Sequence, residues 1–131
     1  MKRTVPVLLA ISALLLMMST SLARPTPPPA ATVAGVYEKF TVGQGSGDLE
    51  GMRVAIISAG GGHYAIVQIA QGGAEDPKPE FVEATVKGMT VTFTVGDQKF
   101  SGTASAVSLR LKDANGQTYV LKRKACTTLF R

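Results

Sequence analysis

The residues best equipped for chemistry in this chain are its one histidine, His63, and its one cysteine, Cys126. Zinc and copper sites draw on imidazoles and thiolates at close spacing, and neither a second histidine nor a cysteine accompanies His63, so a metal site would have to be assembled from distant carboxylates. A hydrolytic triad of His63 with a serine and an acid has no nucleophile in a strained elbow such as G-x-S-x-G, and the connecting segments are short. The nearest supply of acids is Glu75, Asp76 and Glu80 beside Lys78. That cluster would hold calcium only with added carbonyl ligands. Gly43-Gln44-Gly45-Ser46-Gly47-Asp48 has the composition of a phosphate-cradling loop, but such loops aim their amides from a strand-to-helix turn, and no helical pattern follows. Tryptophan is absent, which removes the usual platform for stacking sugars. The expectation is a non-enzymatic protein with no metal and no cofactor.

These residues lie behind a segment with a different purpose. Lys2 and Arg3 precede an apolar run from Val5 to Met18 broken only by Pro6 and Ser12, and small residues end it at Ser21-Leu22-Ala23. That order of cations, apolar stretch and small-residue site is a secretory signal peptide, with cleavage expected after Ala23. Left uncleaved, Val5 to Leu22 is long enough to anchor the chain in a bilayer, about 17 residues being sufficient. A lipoprotein would need a cysteine at the cleavage point, and Cys126 is near the other end. The division predicted is a signal peptide at 1–23, a proline-rich linker at 24–32 and one β domain at 33–131. The protein is therefore expected to be periplasmic or extracellular.

Removing residues 1–23 takes away two cations and leaves 108 residues with a net charge of +3 instead of +5. Apart from Lys122-Arg123-Lys124 the cations are interspersed with acids along the sequence, the pattern of solvated strand faces rather than of a nucleic-acid footprint. A single cysteine cannot close an internal disulfide, so the fold must rest on its core. Cys126 is expected to be a small buried hydrophobe, with an intermolecular disulfide as the alternative. Four prolines between Arg24 and Thr32 exclude helix and inner strand there. At about 3.1 Å per residue this linker reaches roughly 25 Å.

From Val33 onward the apolar period is two, with turn residues every 8 to 12 positions. That pattern makes the chain all-β. Met89, Val91, Phe93 and Val95 alternate with three threonines. Val107, Leu109 and Leu111 alternate with Ser108, Arg110 and Lys112. Strands are predicted over 35–42, 50–58, 63–71, 81–87, 89–95, 98–105, 106–112 and 117–124, with Lys87-Gly88, Gly96-Asp97 and Asp113-Ala114-Asn115-Gly116 as turns. Eight strands on short connections form an up-and-down antiparallel meander, which closes into a barrel or, as the alternative, divides into a two-sheet sandwich. Closure removes both exposed sheet edges, and eight strands enclose either side chains alone or one small ligand. This layout is similar to that of small periplasmic barrels such as lipocalin-like carriers and lysozyme inhibitors, whose diagnostic motifs are absent. The likeness is one of architecture.

The expected interior is Val54, Ile56, Ile66, Val91, Phe93, Leu109, Leu111 and Tyr119. The segments 53–57 and 64–69 are apolar at both parities, so Ile57, Val67 and Ile69 are assigned to a second, outward apolar face that would meet a partner. The function expected is a binding module of the cell envelope or exterior for a protein partner or a small apolar ligand. It meets no nucleic acid, and a membrane only through an uncleaved signal segment. A structural or assembly subunit, as a Cys126-linked dimer, is the second expectation. The third is a hydrolase that pairs His63 with an acid from the Glu75–Glu80 loop.

Overall fold

The computed structural model describes residues 32–73 and 77–125. The predicted signal peptide, most of the predicted linker, Glu75, Asp76 and Cys126 lie outside the described residues. The chain forms eight strands: β1 (Gly35–Val42), β2 (Leu49–Ala59), β3 (Gly62–Gln71), β4 (Glu80–Lys87), β5 (Thr90–Val95), β6 (Gln98–Ala104), β7 (Ser108–Asp113) and β8 (Thr118–Lys124). Each pairs antiparallel with the next, and β8 pairs back onto β1, so the sheet is a closed barrel rather than a sandwich.

Turn chemistry sets the register. Gly88 opens the β4–β5 hairpin with φ 60°, and Lys87 pairs with Thr90. The turn is therefore Gly88-Met89, one position later than Lys87-Gly88, because a two-residue turn with a leading left-handed glycine matches the twist of the strands. Gly96-Asp97 turns β5 into β6 with Val95 opposite Gln98. Between β2 and β3 the turn is Gly60-Gly61, with Ala59 opposite Gly62.

The barrel is filled along most of its length. Tyr37, Met52, Val54, Ile56, Val67, Val91, Phe100, Leu109, Leu111 and Leu121 are all fully buried. Phe93 and Phe100 sit directly opposite one another with ring centroids 5.5 Å apart. A Cβ at Gly102 would collide with the Arg110 carbonyl, so glycine there lets β6 and β7 approach as the sheet curls.

The structure corrects the faces assigned to β3. Val67 is only 1% exposed and Ile69 packs against the core, whereas Ile66 lies on the outer face opposite Ala55 and Phe81. The reason is register. Directly paired residues share a face, and Val54 pairs with Val67 while Met52 pairs with Ile69. Among the other expected interior residues, Val54, Ile56, Val91, Phe93, Leu109 and Leu111 are buried, and Tyr119 is half-buried against the core.

Candidate functional site

Packing stops before the barrel does. At the end where β1 and β3 finish, the last inward side chains of β1 are Lys39 and Thr41, opposite Met52 and Glu50. Polar residues at these inward positions leave the mouth unfilled, and β2 and β3, the longest strands, carry its wall upward. The result is a cup of about 420 Å³. Met52, Ile69 and Leu121 give it an apolar base, and Lys39, Glu50, Gln71 and Gln117 give it a polar rim. Neither Lys39 nor Glu50 has an ion-pair partner among the described residues.

Tyr119 forms part of this wall and is held from behind. Its hydroxyl donates to Asp113 Oδ2 at 3.3 Å, and its ring meets Phe100 edge-on with centroids 6.0 Å apart. Asp113 is itself buried and fully engaged. The amides of Asn115 and Gln117 donate to its Oδ1 at 2.9 Å each, and Gln98 Nε2 donates to Oδ2 at 3.2 Å. One carboxylate thus closes the β7–β8 turn and orients a cup residue. Burial, then the Asp113 charge and hydrogen bond, push the Tyr119 phenol above its ordinary value, so it remains a donor at neutral pH.

The opposite end is plugged by the middle residue of the Lys122-Arg123-Lys124 run. Arg123 follows Tyr119 and Leu121 on the inward face of β8, and its guanidinium donates to the carbonyls of Ala34 at 3.1 Å and Ser105 at 3.3 Å, to that of Thr32, and to the Tyr37 hydroxyl at 2.6 Å. Tyr37 in turn donates to the Val33 carbonyl at 2.8 Å. Gly35 makes room for this, since a Cβ there would fall 2.5 Å from Arg123 Nη1.

A third feature lies outside the barrel. Ile57 is 38% exposed and Phe81 62% exposed, and the Phe81 ring stacks on Tyr64 with centroids 5.2 Å apart. Ala34, Val36, Ala55 and Ile66 line an apolar groove of about 380 Å³ beside Ile57. Of the three residues assigned to an outward contact face, Ile57 alone is on it.

His63 lines neither the cup nor the groove. It pairs with Ala84 near the plugged end, while Glu80 pairs with Val67. Four strand positions separate the two, about 13 Å at 3.3 Å per residue, so His63 and Glu80 are not brought together; Glu75 and Asp76 lie outside the described residues. Among the described residues no three His, Cys, Asp or Glu side chains converge as a metal site would require. The glycine-rich segment 43–48 is a hairpin loop between β1 and β2, closed by the Gly43 amide donating to the Asp48 carbonyl at 2.9 Å.

No family model, curated protein or solved structure matches this chain. The function must therefore be argued from the cup, the plug and the outer faces themselves.

Proposed function

We propose that this protein is an exported, non-enzymatic binding module that takes one small amphipathic molecule into the mouth of its barrel. The observation that supports this reading is the cup of about 420 Å³ in an otherwise filled barrel. Small-molecule sites are concave, combine apolar wall with a few placed polar groups and begin at about 300 Å³; the lining here is more polar than apolar, which suits an amphipathic occupant rather than a purely apolar one. Met52, Ile69 and Leu121 would take the apolar part of the ligand. Lys39, Glu50, Gln71 and Gln117 would meet its polar end.

The test uses anilinonaphthalene sulfonate, an apolar fluorophore with one charged group. Wild type should bind it at a single saturable site. Ile69→Trp, which fills the cup from a partly exposed position, should weaken binding at least about tenfold, while Ile57→Lys on the outer face should leave it unchanged. The reverse pattern would move binding to the outer apolar groove and defeat the reading. Native mass spectrometry of the protein from an exported source should then show a non-covalent adduct that Ile69→Trp removes.

A further inference from the structure

The outer surface of the second half of the barrel carries charge of one sign. Period-two alternation puts Lys99 of β6, Arg110 and Lys112 of β7, and Lys122 and Lys124 of β8 on the outer face, and all five are exposed. No carboxylate shares the outer face of β5–β8. Asp113 points inward and is buried, and Asp97 sits in the β5–β6 turn at the mouth end. Glu38 faces Lys122 across the β1–β8 seam, but its carboxylate is engaged 2.7 Å from Arg53 Nε, the one ion pair among the described residues. Cations that are dispersed along the sequence are thus gathered by the meander onto three adjacent strands.

We propose that the outer face of β6–β8 docks on an anionic phospholipid surface. Three features of the face select this partner over other polyanions. Four of the five cations are lysines, compact point charges on flexible stems that suit a diffuse field of headgroup phosphates more than a fixed bidentate contact. The outer positions of β5–β8 are otherwise mostly threonine and serine with no aromatic residue, so no platform exists for stacking bases. An exposed apolar residue stands among the charges, Val120 on β8 at 39% exposure, and the bend before β7 exposes Val107 at the end of the face. Cations interleaved with exposed apolar side chains are what an interfacial surface presents, the charges to the phosphates and the apolar groups to the acyl boundary.

The experiment is sedimentation of the protein from an exported source with vesicles of phosphatidylcholine alone or mixed equally with phosphatidylglycerol. Binding should appear on the anionic vesicles, weaken as salt is raised and be far lower on neutral ones. An uncleaved leader, which carries Lys2 and Arg3, would raise binding to both vesicle types and more so to the anionic ones, so the loss caused by Lys122→Gln decides the question rather than the difference between vesicles. Lys122→Gln should reduce the anionic partition about fivefold, and Arg110→Gln with Lys122→Gln about 25-fold, as expected for charges near such a surface. Lys78→Gln, which makes the same net change in the β3–β4 connection, should leave it unaltered. Equal losses from Lys78→Gln and Lys122→Gln would overturn the proposal by reducing it to net charge. Retention on double-stranded DNA without vesicle binding would overturn it in favour of a nucleic-acid partner. These substitutions lie on a solvated face, so unchanged circular dichroism accompanies either result.

Discussion

The Arg123 guanidinium and the Tyr37 hydroxyl meet at 2.6 Å at the plugged end of the barrel, and the same hydroxyl donates to the Val33 carbonyl 2.8 Å away. This relay ties the last strand to the segment that leads into the first. Tyr37→Phe keeps the ring in the core but removes one acceptor of the guanidinium and leaves the Val33 carbonyl without its donor, so it should cost about 1–2 kcal/mol. Arg123→Met frees several carbonyls at once and should cost about 2 kcal/mol or more. Urea unfolding of both variants checks the order, Arg123→Met being the less stable.

The same tyrosine gives stability an alkaline limb. Burial raises the Tyr37 phenol above its ordinary value of 10.0, with the Arg123 charge and hydrogen bond opposing in part. A group whose folded pKa lies above its unfolded one contributes stability in full below the unfolded pKa, and loses it as pH rises from about 10 through the folded value. Wild type should therefore weaken above about pH 10 more steeply than Tyr37→Phe. Urea midpoints across that range provide the comparison, and parallel curves would remove Tyr37 as the cause.

On β2 and β3 the register predicts opposite outcomes for two residues of similar type. Val67→Lys places an ammonium in a filled barrel with no partner and should cost more than about 4 kcal/mol, enough to prevent folding. Ile57→Lys exposes its charge on the outer face and should shift stability by no more than about 1 kcal/mol. Far-ultraviolet circular dichroism and urea midpoints distinguish them.

Asp113 serves both stability and the cup. Asp113→Ala leaves two turn amides, Gln98 and the Tyr119 hydroxyl without their acceptor and should cost about 2–3 kcal/mol, with probe binding in the cup weakened as well. Asp113→Asn keeps an acceptor for the amides and should recover most of the stability. Urea unfolding and anilinonaphthalene sulfonate titration separate the two effects.

Much of this fold is legible in the sequence because glycine turns and period-two alternation agree with each other. The segment 35–42 coincides with β1, and every other predicted strand overlaps its observed counterpart. The faces of β3 were harder, since Tyr64 to Ile69 is apolar at both parities and local pattern alone cannot choose. The choice lay in the hairpin. With Gly60-Gly61 as its turn, Val54 must stand opposite Val67, and an inward Val54 carries Val67 inward with it. Arg123 was obscured for a different reason: its charge argued for solvent while its spacing from Tyr119 and Leu121 argued for the interior. Hydrogen bonds to fixed carbonyls make the interior tolerable. The basic outer face is invisible in a linear reading, because its members lie on three strands and only pairing makes them neighbours. The cup depends on where filling ends, which in turn depends on Lys39 occupying an inward position that alternation alone would give to an apolar residue.

The seam between β1 and β8 has a consequence in time as well as in space. It is joined by Val36, Tyr37 and Glu38 opposite Lys124, Arg123 and Lys122, so the first strand to be made waits for the last. A chain delivered residue by residue, from a ribosome or through a translocation pore, carries β1 with one side unpaired until β8 has emerged. Through that interval the growing sheet is an open ribbon with a free border, the state in which strands of neighbouring molecules can add to one another. Closure is then a single late event, and Arg123 of β8 fastens it.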